Sequence, residues 1–480
     1  MISKRFSSKT IVAASIALVL IALTSTIGVQ SVLAAKNFAH AIKSSQSEEE
    51  LIKSARNLEN NVNRLITISN LPLVSHVLKI AGLEFSPITK ELDSAIQVSP
   101  YIFGSSKPLR YLISFQNSAE ARGTGGILGA YAIVEIANGN IKVIKTGSNA
   151  SLYSISLKTI PVDVPEEFLK LYGQNPAILQ NSNLSPHFPY GAEIWMGLWK
   201  EKFGEQLDGV IAIDPIALSY ILRSTGEIIL PTGEKITAGN VVEETLKNAY
   251  KKYESNNDAR KQYLVELLNS AVTKLQKGEY SKLALAKALK QSIIENRLLI
   301  YSQNSKVESI LSSTRLSGFM STSPNNEYRA VIQNIDASKL DYYLDREVTI
   351  KRASCEKSAT TQVKLKVTNT LVSGKDLPAY VLTRADKSKP ANLVTGSHRF
   401  KTFIYGPPGS KLVSVSRENR TVKLGGASTE RNRPIYVADV DLGPGESEEL
   451  LANFSGGTGK ISYVDQPLVR TTKIEISDNC

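Results

Sequence analysis

At 480 residues the chain is too long for one ordinary core, so two or three domains with accessory helices are expected. Its 42% hydrophobic and 21% charged residues are those of a folded globular protein, and 57 Lys+Arg against 45 Asp+Glu give a net charge of +12. No dense Lys/Arg block accompanies that excess, which argues against a nucleic-acid groove and leaves either cationic character suited to an anionic surface or polymer, or plain solubility.

Lys4, Arg5 and Lys9 precede an uncharged, largely apolar segment from Ile11 to about Ala35. Residues 1–35 therefore read as a single transmembrane anchor, with the N-terminus cytoplasmic and the bulk of the chain extracytoplasmic. A cleaved signal peptide is the alternative, with Ile11 to Leu23 as its apolar region and Val32-Leu33-Ala34 near the cleavage site. Residues 36–98 read as a helical stalk. Leu51, Ala55, Leu58, Val62 and Leu65 recur at helical spacing on one seam. Ser86-Pro87 looks like an N-cap followed by proline, opening a helix with Ile88, Leu92, Ala95 and Ile96 on its apolar face. A helical hairpin packed on the next domain is the plainer reading, since the seam is short for a dimerising coiled coil.

Residues 99–327 alternate between strand and helix patterns, as an α/β or α+β layered domain does. The stretch from Arg110 to Lys145 reads as strand, polar glycine-containing loop, strand, tight turn and strand. Asn138-Gly139 is the pair that tolerates positive φ at both central positions of a hairpin turn. The expected loop holds Gln116, Asn117, Glu120, Arg122, Thr124, Gly125 and Gly126, hydrogen-bonding groups beside permissive backbone at a strand end. A proline-punctuated irregular region follows, with Asn181 to Pro189 its most distinctive segment. Helices are expected from Tyr190 to Phe203, Ile216 to Arg223, Val241 to Tyr253, Arg260 to Leu275 and Tyr280 to Leu299, with Val210 to Ile213 as a central strand. Residues 328–480 read as short strands separated by turns such as Gly406-Pro407-Pro408-Gly409, an all-β immunoglobulin-like sandwich.

Cys355 and Cys480 are the only cysteines, and neither belongs to a CxxC pair, so a cysteine zinc site or thioredoxin-like motif is excluded by count. Outside the cytoplasm a disulfide between them would tie the C-terminus to the last domain's first strands; two unpaired thiols are the alternative. The histidines His40, His76, His187 and His398 form no HExxH, and Gly123, Gly125, Gly126 and Gly129 fit neither a dinucleotide fingerprint nor a P-loop. What remains is a phosphate- or carbohydrate-directed site. Arg122 with Arg110, Lys142 or Lys145 offers charged donors to a pyrophosphate, and Gly125-Gly126 offers close backbone N–H groups. Glu120, Glu135 or Asp163 offers carboxylates to Mg²⁺. The competing reading makes Asn117, Glu120 and Arg122 members of a buried network that only shapes the loop.

Several separated stretches, YLISFQNSAEARGTGG, NSNLSPHFPYGAEIW, LDGVIAIDPIALSYILRSTGEIILPTGEKITAGNVVE, SKLDYYLDREV and LGPGES, together resemble the bacterial family known as domain of unknown function 4012. That resemblance implies a membrane-anchored extracytoplasmic protein of unsettled activity. The core is also distantly similar to the LytR-CpsA-Psr proteins, which transfer cell-wall glycopolymers from a polyprenyl pyrophosphate carrier. This similarity implies a LytR-CpsA-Psr-like α/β core in which Arg122 grips the pyrophosphate and an acidic residue supports Mg²⁺. The sequence departs from that family at its second motif, where TGSNASLYSIS has no arginine. Two functions are thus expected. One is a cell-envelope protein that binds an anionic glycan or polyprenyl-linked phosphate and, if catalytic, transfers a glycopolymer. The other is a non-catalytic surface scaffold or adhesion protein that binds through its β-sandwich.

Overall fold

Helical periodicity at the start of the chain becomes packing between helices. The computed structural model describes residues 29–42, 44, 47–69, 89–104, 107–153, 157–278, 280–354, 360–382, 394–418, 420–422, 428–457 and 459–480. The described parts of Met1–Arg110, with Glu135–Lys142 and Asn304–Thr314, form one compact unit, and the rest forms a second. In the first, residues 29–42 are helical, followed by α1 (Glu48–Ser69) and α2 (Thr89–Ile102). The seam residues Leu51 and Ala55 are buried with Phe38, Ala41, Ile42 and Ile96, and Leu58 and Val62 pack beside them. Gln97 donates to Glu59 at 2.9 Å across α1 and α2, so these two helices pack against each other. The Ser86-Pro87 cap and most of the expected membrane span, Ile11 to about Ala35, lie outside the described residues. Among the described residues no helix is long and apolar enough to cross a membrane.

A five-stranded sheet of order β3-β2-β1-β4-β7 underlies the second unit, except for the ends of β1, β2 and β3 at Leu109–Arg110, Glu135–Ala137 and Asn140–Lys142, which belong to the first. Its strands are β1 (Leu109–Arg122), β2 (Gly125–Ala137), β3 (Asn140–Ser148), β4 (Gly209–Ile213) and β7 (Leu298–Ser302), while β5 (Ile228–Ile229) and β6 (Lys235–Ile236) pair separately. Asn138 and Gly139 take φ of 50° and 74° in the β2–β3 turn, as the sequence requires. β4 runs parallel to β1, with Tyr111 opposite Gly209 and Phe115 opposite Ile213, and β7 returns antiparallel. Helix α3 (Phe188–Phe203) covers one face, burying Trp195 and Trp199 against Leu112, Leu128, Tyr131 and Val210. Helices α4 (Pro215–Thr225) and α5 (Asn257–Gln276) cover the other, where Leu218, Leu222, Leu264 and Leu268 meet Phe115, Ala130 and Ala132. α4 begins where Asp214 accepts the Ala217 N–H at 2.8 Å, with Pro215 supplying a first helical residue that needs no donor.

The expected helix from Tyr280 to Leu299 is shorter in the structure. α6 spans Lys282–Ile294, after which Asn296 at φ 56° turns the chain into β7. Apolar residues at 298–301 carry the β7 strand, and a short apolar run does not by itself distinguish helix from strand.

The C-terminal region is β-rich. One sheet has the order β13-β12-β16-β10-β9-β18, the other β14-β15-β11-β8-β17. The strands are β8 (Glu327–Asn334), β9 (Leu344–Arg352), β10 (Thr360–Asn369), β11 (His398–Tyr405), β12 (Lys411–Arg417), β13 (Arg420–Val422), β14 (Ser428–Glu430), β15 (Arg433–Leu442), β16 (Ser447–Ser455), β17 (Ser462–Tyr463) and β18 (Lys473–Asp478). Alternation in β10 buries Val363, Leu365 and Val367 between the sheets with Phe400, Ile404, Tyr328 and Leu450. The opposite face of the β8-containing sheet is also buried: Val331, Phe403, Tyr405 and Ile435 join the cluster around Trp195. That sheet is consequently a middle layer between the α/β core and the outer sheet, within one compact unit. β18 runs parallel to β9 with Asp478 opposite Arg352, and Cys480 is not a free thiol. Cys355, three residues beyond Arg352 in sequence, lies outside the described residues.

Phe403, 2% exposed, tests the shared layer. Phe403→Ala is expected to cost roughly 3–5 kcal/mol and to lower the melting of core and β-region together in calorimetry of the full chain. Separate transitions, with only one displaced, would contradict a shared layer.

Candidate functional site at the end of strand β1

The polar stretch expected as a loop is strand. β1 continues through Gln116 to Arg122, and only Gly123 and Thr124 make the turn into β2. Close packing is the reason. A Cβ on Gly126 would sit 2.3 Å from the Asn117 carbonyl, and one on Gly123 would sit 2.2 Å from the Leu184 carbonyl oxygen. Gly125, at φ 125°, lies against Gln116 and Pro467, and the Gly126 N–H donates to Gln116 Oε1 at 3.0 Å. These glycines let neighbouring backbone approach, and the Gly126 donor is already used.

Glu120 and Arg122 are two residues apart on the strand and so share a face. Arg122 Nη2 lies 3.1 Å from Glu120 Oε1, and Lys339 Nζ lies 2.5 Å from Oε2, all three side chains being nearly inaccessible. Burial raises the Glu120 carboxyl, but the charges of Lys339 and Arg122 outweigh it and hold the group below the usual carboxylate range. Lys339 is likewise lowered by burial and raised by Glu120, with a net rise. Three further Arg122 donors go to backbone carbonyls: Nε to Gln180 at 2.7 Å, and Nη1 to Ala121 at 2.8 Å and Asn334 at 3.1 Å. Asp341 accepts from the Ala121 N–H at 2.9 Å and from Asn334 Nδ2 at 2.7 Å. Asn117 donates to the Tyr250 hydroxyl at 2.5 Å. The Tyr250 ring stacks with Tyr380 at 5.8 Å, and the Arg260 guanidinium lies 4.4 Å and 4.6 Å from the two ring centroids.

The other expected site residues are placed elsewhere. Arg110 pairs with Glu135 at 3.2 Å in the first unit. Lys145 lies over the Phe203 ring at 3.5 Å, and Asp163 is exposed. Among the described residues no group of three or more His, Cys, Asp or Glu side chains could hold a metal ion. Both Glu120 carboxylate oxygens face cations, an arrangement that does not fit Mg²⁺ coordination.

At the carboxyl ends of the parallel strands β1 and β4, where open α/β sheets commonly bind ligands, Gln116, Thr124, Asp214, Arg297 and Pro467 line a cavity of about 10 Å³. It has room for about one water. Arg297 pairs with buried Asp214 at 2.6 Å and donates to the Leu468 carbonyl at 3.0 Å. Gln466 donates to the carbonyls of Arg122 at 2.7 Å and Ile332 at 2.8 Å and accepts the Ile332 N–H at 2.8 Å. A strap from Asp465 to Val469 thus fills the crevice, with Arg346 donating to the carbonyls of Gln466 and Arg470 at 3.1 Å each. Sequence reasoning missed Lys339, Asp341, Arg297 and Gln466. Lys339 and Asp341 stand in the SKLDYYLDREV stretch, where two charges flanking Leu340 beside a strand were the available signal.

Beside the turn, Ser185 and the hydroxyls of Tyr172 and Tyr405 donate to buried Glu430 at 2.6, 3.1 and 2.8 Å. Burial raises the Glu430 carboxyl against these donors. His187 Nδ1 accepts the Met320 N–H at 3.0 Å, and burial, followed by the nearby Arg431 and Arg329 charges, holds its basicity well below the ordinary value.

Two outcomes are expected. Lys339→Met and Glu120→Gln should each cost roughly 3–5 kcal/mol, and the double variant much less than their sum, as measured by denaturant unfolding. His187 is neutral when folded, so its contribution is complete above the unfolded value near pH 6.5 and is lost as pH falls toward the depressed folded value. The wild type should therefore lose up to about 1.4 kcal/mol per pH unit below pH 6.5 relative to His187→Gln; equal slopes would show that His187 is not the group responsible. Glu430, raised when folded, acts in the opposite direction but equally in both proteins.

A comparison with the curated proteins finds no match. A solved structure, the transcriptional regulator yvhJ from Bacillus subtilis, is similar over 46% of this chain and 84% of its own, at 11% sequence identity and a TM-score of 0.23, and a likeness of that size carries no argument. The family model described as protein of unknown function (DUF4012) matches residues 106–250, which include β1, the turn at Gly123, α3, α4 and Tyr250. Residues 106–250, which carry Gln116 to Arg122 and Tyr250, thus match the DUF4012 family model, while Lys339, Asp341, Arg297 and Gln466 lie outside the matched segment.

Proposed function

We propose that this chain is a non-catalytic scaffold or adhesion protein, held by a single N-terminal span on the outer face of a membrane and binding an anionic envelope polymer through an immunoglobulin-like β-region. The observation that carries this reading is the seating of Gln466, Pro467 and Leu468 in the crevice where an α/β sheet would take a ligand. Four of the five Arg122 N–H donors are held by Glu120 and backbone carbonyls, which supports it. The net charge of +12 suits an anionic partner. Val29, Val32 and Leu33 are 59%, 56% and 52% exposed on the described N-terminal helix, an apolar surface that suits a helix leaving a bilayer.

The cavity between Asp214, Arg297 and Gln116 favours a second reading. In it, a LytR-CpsA-Psr-like core takes a polyprenyl-linked phosphate after the strap moves aside. Titration of the full chain in detergent with polyprenyl phosphate and pyrophosphate, with and without Mg²⁺, separates the two. The scaffold reading expects no saturable binding by the wild type, and expects Arg122→Ala to lower the melting temperature without creating or removing a ligand response. Saturable binding by the wild type would replace it with the lipid-carrier reading.

A further inference from the structure

Helix α6, Lys-Leu-Ala-Leu-Ala-Lys-Ala-Leu-Lys-Gln-Ser-Ile-Ile, contains no acidic residue. Ser281 caps it by accepting the Ala284 N–H, and its buried positions, Ala288 and Ser292, are small. Since residues four apart lie on one face of a helix, Ala288 and Ser292 mark the inward side. At 100° per residue the opposite side carries Leu283, Ala286, Lys290 and Ile294, with Lys287 and Ile293 beside them and Lys282 and Leu289 toward one edge; Lys290, Ile293 and Ile294 are half-buried and the others exposed. Leu283 is 60% exposed and Leu289 36%, while Lys282 and Lys287 are exposed beside them. Lys277, at the end of α5 just before this helix, is exposed as well.

A solvated helix face needs charge but gains nothing from exposed leucines, and an α-helical docking face for a protein would not ordinarily be ringed by one sign of charge. Leucines interleaved with lysines match the boundary between anionic headgroups and acyl chains. There the apolar side chains enter the acyl region while the ammonium groups snorkel to phosphate. We infer that α6 is a peripheral membrane-contact helix, with Lys282 and Lys287 engaging anionic phospholipid headgroups and Leu283 and Leu289 entering the interface. Each lysine near such a surface contributes on the order of 1 kcal/mol, which falls off within a Debye length. The contact is therefore sensitive to salt and weak alone. Its location presupposes the membrane-held reading above, whereas its chemistry does not.

The test uses the full chain in two sets of vesicles, phosphatidylcholine alone and phosphatidylcholine with phosphatidylglycerol, each with brominated acyl chains. Leu283→Trp reports on α6, and wild type, whose Trp195 and Trp199 are buried, gives the background. Quenching of the introduced tryptophan is expected only in the phosphatidylglycerol vesicles. It should disappear in high salt and in Lys282→Gln/Lys287→Gln of unchanged melting temperature. No quenching, or equal quenching in both lipids, overturns the assignment. So does shielding of the tryptophan from acrylamide by a soluble anionic polymer in the absence of lipid quenching, which would make the partner a polymer. Alkaline extraction of the same vesicles tests the anchor separately: release of the chain would remove the membrane-span reading, while salt-reversible quenching would still support the helix.

Discussion

A carboxylate buried with two cations sets the terms for the second unit. Glu120 lies on a strand that is inaccessible along nearly its whole second half, and it is stable there as an ion because Arg122 and Lys339 reach its two oxygens. Removing either cation would leave charge in a medium that solvates it poorly, so the three groups must be placed together. Lys339 belongs to the segment joining β8 and β9, and Arg122 also bonds the Asn334 carbonyl at the end of β8. The ion cluster therefore fixes the α/β sheet against the β-region at one point, and Asp341 and Gln466 extend the same junction.

The apolar counterpart is the middle sheet. Along β11, Phe400 and Ile404 point toward the outer sheet, while Phe403 and Tyr405 point toward α3 and its neighbours. A strand that alternates between two apolar environments has no solvent face to spare, which ties the β-region to the core through burial as well as charge. The strap from Asp465 to Val469 then closes the crevice at the strand ends, and Gln466 pairs with both backbone groups of Ile332 much as another strand would. This placement explains why residues that look like an anion site in sequence serve a junction.

Legibility followed the range of the interactions. The Leu51 seam, the Asn138-Gly139 turn and the helix from Ile216 to Arg223 could be read because each depends on neighbours within a few residues. The end of β1 could not. Gln116, Asn117, Glu120 and Arg122 are polar, and polar residues beside glycines ordinarily mean loop. Here Asn117, Glu120 and Arg122 continue a strand because their partners, Tyr250, Lys339, Asn334 and Gln180, come from distant segments. The same limit explains α6, where local apolar spacing suggested a longer helix and the turn at Asn296 opened β7.

By itself, the sequence determined the class of each segment: helices first, then mixed α/β layers, then β-strands, with a cationic balance and an apolar N-terminal stretch. It also singled out the polar stretch from Gln116 to Gly126 as a candidate site, and it held SKLDYYLDREV only among the stretches that carry a family resemblance. Only the tertiary structure decided what those stretches do to each other, because a buried charge is satisfied by whatever opposite charge folding brings within a few ångströms, and the separation of Glu120 from Lys339 by 219 positions leaves no local trace of that pairing.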